Sequence, residues 1–71
     1  MPSYPSKLLK YVNSLPIEEQ EAKKRLFEQT LSKAQSHGFQ SPRFWAMRQI
    51  VQGLSEGQIQ QKIQRRLDKQ K

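Results

Sequence analysis

Seventy-one residues allow one small domain with a thin core, because only 34% of them are hydrophobic and the mean hydropathy is −0.94. The chain has no cysteine and a single histidine, which excludes a disulfide framework, a thiol nucleophile and a cysteine or histidine metal cluster. A net charge of +7 points to polyanionic partners: DNA, RNA, an acidic protein surface or anionic lipid.

This composition lies close to that of disordered chains, so folding rests on strong local signals. Homodimerisation or partner binding can supply part of the stability. The opening MPSYPSKLLKYV holds no apolar run long enough for a signal peptide or a membrane span. The expectation is a cytoplasmic, all-α protein, a small bundle of three to four helices over about 6–13, 16–37, 42–52 and 56–69. Residues 1–71 form a single domain in this reading, with 1–5 and 69–71 flexible.

In chain order, MPSYP is a proline-marked lead-in. Ser6 to Asn13 then carry Leu8, Leu9, Tyr11 and Val12, a helix too short to persist in water unless it docks. Pro16 begins the next helix. Glu18, Glu19 and Glu21 crowd its first turns, and Lys33 and His37 lie in its last, an order that complements the helix dipole. Leu26, Phe27, Thr30, Leu31 and Ala34 share one face. Gly38 closes this helix, with Phe39 placed to fold back on Ala34. The same position explains His37 as a donor at the carbonyl end, since no serine, cysteine or acid is paired with it at a catalytic spacing.

Ser41 before Pro42 reads as an N-cap and first helical residue. On a helical wheel Phe44, Met47, Ile50, Val51 and Leu54 form an apolar arc, and Trp45 falls opposite it beside Arg48, Gln49 and Gln52. A tryptophan there either docks under another element, for which the first helix is the candidate, or serves as an exposed anchor for a partner. Gly53 stops the helix. Ser55 and Gln58 make a capping box for the last one, with Leu54 and Ile59 as its hydrophobic staple.

In the last helix Ile59, Ile63 and Leu67 make a narrow apolar stripe. Lys62, Arg65, Arg66 and Lys69 fall within about 100° of arc beside it. A helix lying along a phosphate backbone uses such a cationic stripe, each Lys or Arg replacing a condensed counterion. Cations at a helix C-terminus also complement the dipole and keep a small protein soluble.

The residues Ile50-Val51-Gln52-Gly53-Leu54-Ser55-Glu56-Gly57-Gln58-Ile59 resemble the helix-turn-helix DNA-binding motif. A glycine and a following apolar residue mark its turn, and an aliphatic residue six positions after the glycine anchors the next helix. Gln49 stands where the motif has a small residue, and Ile63 lies one position beyond its next aliphatic. The resemblance implies either that the last helix reads DNA or that the motif begins with it. With the last helix as reader, Gln60, Gln61 and Gln64 suit base edges and Lys62, Arg65, Arg66 and Lys69 suit phosphates, aided by Arg43 and Arg48.

No phosphate-binding glycine loop, metalloprotease helix or calcium loop is present in the sequence, and a chain this small has little room for a water-excluding pocket. The expectation is therefore a binding protein, not an enzyme, with no cofactor. Nucleic acid is the first partner. The alternative is an acidic protein docked through Trp45, Arg48, Gln52 and the basic stripe. Membrane-surface binding is disfavoured by the narrow apolar stripe.

Overall fold

A computed structural model describes residues 4–69. Four helices make an all-α bundle: α1 (Ser6–Asn13), α2 (Ile17–Ser36), α3 (Pro42–Val51) and α4 (Glu56–Lys69). Among the described residues no helix is long and apolar enough to cross a membrane. The long α2 is the spine. Its most extensive packing is with α3, while α1 lies against both, and α4 rests on α2.

The short α1 persists because it docks: Leu8 and Val12 are completely buried. Tyr4 is tied down as well. Its hydroxyl donates to Glu28 Oε1 at 2.9 Å, and its ring meets Phe27 edge-on, with centroids 5.8 Å apart. The lead-in is therefore anchored at Tyr4; residues 1–3 and 70–71, also expected to be flexible, lie outside the described residues.

Pro16, expected as the first residue of α2, takes the N-cap position instead, so the helix starts one residue later at Ile17, and the Pro16 carbonyl accepts from the N–H groups of Glu19 and Gln20. Phe27, Thr30 and Ala34 are buried along one face, with Leu26 and Leu31 packed beside them. Thr30 satisfies its buried hydroxyl by donating to Leu26 O at 2.7 Å, the usual solution for a threonine inside a helix.

Both glycine stops form as Schellman motifs. Gly38 has φ +73°; its N–H donates to Gln35 O, and Phe39 N–H donates to Ala34 O. Gly53 has φ +78°, with Gly53 N–H donating to Ile50 O and Leu54 N–H to Gln49 O. The capping box of α4 closes reciprocally: Ser55 N–H donates to Gln58 Oε1 at 2.9 Å, and Gln58 N–H to Ser55 Oγ at 3.3 Å.

At the start of α3, Ser41 holds the N-cap position and Pro42 the first helical one, as expected, but Ser41 sits in the left-handed region (φ 47°, ψ 57°) and its side chain makes no capping bond. A side-chain cap needs extended backbone, which left-handed Ser41 does not have. The buried face also differs. Ala46, Met47, Gln49 and Ile50 are buried, while Phe44 is 53% exposed and Val51 39%. On the wheel this rotates the buried arc by about 80° towards Trp45 and Gln49. The small Ala46, fully buried, faces the core where α3 packs against both α1 and α2, and that leaves Phe44 and Val51 outside.

Candidate functional site

The rotation of α3 brings Gln49 and Trp45 round to the side on which α4 returns. Ile59 and Ile63 are buried and Leu67 is half-buried, so the apolar stripe of α4 faces inward. The adjoining cationic stripe is thereby set along the gap between α4 and α3. An open cleft of about 310 Å³ results, lined by Trp45, Gln49, Lys62, Arg65, Arg66 and Lys69. No carboxylate lines it.

Phe39 organises this cleft. The Schellman ending of α2 turns its ring inward, where it is 4% exposed. Trp45 meets it in a T-shaped contact, with centroids 5.1 Å apart and planes at 79°. The Arg66 guanidinium lies over the Phe39 ring at 4.5 Å from its centroid. One buried aromatic thus touches both a wall and a cation of the cleft, a cation–π contact that favours the guanidinium at this position.

Trp45 is half-buried. It is not the fully exposed anchor considered from the wheel, and its ring packs on Phe39. Gln49 is 5% exposed. Its Nε2 donates to Trp45 O at 3.2 Å, but its Oε1 is buried with no partner among the described residues. An unpartnered buried acceptor costs roughly 1–3 kcal/mol.

The remaining candidates lie elsewhere. Gln60, Gln61 and Gln64 are exposed on α4 outside the cleft, and Gln64 Nε2 donates to Asp68 Oδ1 at 3.1 Å. Arg43 is exposed in the first turn of α3. Arg48 lines a second groove of about 270 Å³ with Lys7, Phe44, Met47, Val51 and Gln52. Trp45 and Arg48, paired on the wheel as one partner surface, therefore belong to different grooves. The sequence reading missed Phe39 and Gln49 as parts of the site; the Schellman position of Phe39 was the one available signal. Among the described residues no three His, Cys, Asp or Glu side chains are grouped to hold a metal ion.

Fold and site together define a small basic helical bundle with a cationic, aromatic-walled cleft between its last two helices. No protein-family model, no curated protein and no solved structure matches the chain.

Proposed function

We propose that this is a nucleic-acid-binding protein that engages phosphates through α4. The supporting observation is the convergence of Lys62, Arg65, Arg66 and Lys69 on one cleft free of carboxylates. A solvated face has no need of such convergence, because like charges brought together repel. Facing a phosphate backbone, the same four cations release counterions and bind. Arg66 is already held by Phe39, so less side-chain freedom is lost on binding. Of the two registers of the helix-turn-helix resemblance, the one that makes the last helix the reader also presents α4; the other does not.

Fluorescence anisotropy with labelled DNA and RNA, titrated from low to moderate salt, tests this. With four cations engaged, log K falls against log salt with a slope of about −3 to −4. Absence of binding to every nucleic acid at low salt would refute the proposal.

A second reading, an adaptor for an acidic protein, is supported by the other groove. Exposed Phe44 and Val51 offer apolar contact there, and Lys7 and Arg48 are its charged lining residues. An apolar segment flanked by carboxylates matches that surface in shape and charge.

A further inference from the structure

We infer that the α3–α4 cleft seats an unpaired nucleotide, so that the preferred ligand is single-stranded nucleic acid. The inference rests on the proposed phosphate binding and adds which form of nucleic acid is taken. Three features of the cleft carry it.

The cations are arranged around a recess. Lys62, Arg65, Arg66 and Lys69 face Trp45 and Gln49 across the gap between two helices, in a volume of about 310 Å³. That is at the lower end of small-ligand pockets and suits a single nucleotide unit. A duplex brings only its outer phosphates to such a recess, since its bases are paired and stacked inside.

The cleft has an aromatic wall. Trp45 is half-buried, the only tryptophan of the chain, and is set among cations instead of deep in the core. Aromatic rings beside cationic side chains form stacking platforms for unpaired bases, and every base has a face to offer them. Duplex phosphates make no use of an indole.

The third feature is Gln49. Its unpartnered Oε1 is a buried acceptor without exposed surface, so a ligand's donor meets it only when the Gln49 side chain turns towards the cleft it lines. Phosphate oxygens are acceptors only, so a bare polyanion leaves Oε1 as it is. An unpaired base carries ring N–H or exocyclic amino donors, which in a duplex are engaged by the opposite strand. Cations, aromatic wall and acceptor together are complementary to a nucleotide whose base is exposed.

Trp45 reports on the site directly. The full chain is titrated with a single strand of about twelve nucleotides, as DNA and as RNA, and with the duplex of the same sequence. Tryptophan fluorescence and anisotropy are followed together. The single strand should quench Trp45 and bind about tenfold more tightly than the duplex. DNA and RNA single strands behaving alike would place recognition in base and phosphate; preference for RNA would add the 2′-hydroxyl as donor. Gln49→Met, with folding checked by circular dichroism, should reduce single-strand affinity several-fold, and an unchanged single-strand affinity overturns the part given to Gln49. Lys62→Ala/Lys69→Ala should weaken both. Equal or tighter binding of duplex without quenching overturns the single-strand inference and leaves phosphate binding standing. Failure of both forms to bind at low salt overturns both.

Discussion

The guanidinium of Arg66 stacks on Phe39, 4.5 Å from the ring centroid, so a cation of the last helix is oriented by the residue that terminates the second. Stability and binding are therefore coupled at this contact. Arg66→Lys keeps the charge but loses the flat, weakly hydrated group, at a cost of about 0.5–1 kcal/mol in stability. Nucleic-acid affinity should fall while the salt slope stays unchanged, because the charge count is unchanged. Phe39→Leu removes the platform and leaves every charge in place, so it should lower both the melting temperature and the affinity. Thermal denaturation and salt-dependent anisotropy measure the two effects. Wild-type behaviour of both variants would show that the contact orders nothing.

Gln49 should behave as a residue that weakens the fold. Replacing it by methionine removes the unpartnered Oε1 and keeps the length of the side chain. The Nε2 bond to Trp45 O is lost, but that carbonyl lies within α3, where the backbone already supplies a donor. The expected result is a gain of about 1 kcal/mol, or a rise in melting temperature of roughly 4–8 °C for a domain of this size. A stability gain accompanied by weaker single-strand binding is the pattern of a functional site. A fall in melting temperature would mean that Gln49 is well paired in solution.

Chain punctuation was legible because each device is local. Gly38, Gly53 and the Ser55–Gln58 box act within a few residues, and each forms as its spacing implies. The segregation on α4 was legible for a similar reason: its narrow apolar stripe by itself settles which side turns inward. The orientation of α3 was not legible. That helix is packed by both α1 and α2, so its buried arc is set by where fully buried Ala46 can approach them, a tertiary matter. The wheel placed Phe44 and Val51 inside on hydrophobicity alone, and Gln49 outside on polarity alone. Both assignments reversed, and the cleft follows from that reversal.

Backbone conformation yields opposite signs at neighbouring positions. At Gly53 an added Cβ would meet nothing within 4 Å, yet φ is +78°. Gly53→Ala should therefore cost about 1–2 kcal/mol through the left-handed conformation alone. Gly57 lies inside α4, also with open space around a Cβ, and its φ is not positive. Gly57→Ala should stabilise by roughly 0.5–1 kcal/mol. Ser41, left-handed without being glycine, predicts a gain on Ser41→Gly of up to about 1 kcal/mol. Urea denaturation midpoints of the three variants decide the matter. A common sign for Gly53→Ala and Gly57→Ala would contradict the backbone assignment.

The second groove separates adaptor function from nucleic-acid binding. Phe44 is 53% exposed, so Phe44→Glu removes little buried area and should change stability by no more than about 0.5 kcal/mol. It places a carboxylate beside Lys7, Arg48 and Val51, where an acidic partner would then be repelled. The variant should keep its nucleic-acid affinity, since Phe44 does not line the α3–α4 cleft. Capture of acidic amphipathic peptides by the wild type, lost in Phe44→Glu, supports the adaptor reading. Equal capture by both proteins removes this groove from it.

Tyr4 makes stability depend on alkaline pH. Its phenol donates to Glu28, and that bond, followed by burial and the charges of Glu28 and Glu21, raises its pKa above the ordinary 10.0. The neutral phenol is the form that the folded state favours, because a phenolate has no proton to donate and faces two carboxylates. Its contribution is thus fully present below the unfolded pKa, and is lost as pH rises through the higher folded one. Tyr4→Phe keeps the ring against Phe27 and removes the titration. The melting temperature of the wild type should exceed that of Tyr4→Phe at neutral pH, with the gap closing above about pH 10. A gap that stays constant through this range would show that the bond to Glu28 does not persist in solution, and with it the anchoring of the N-terminal segment to α2.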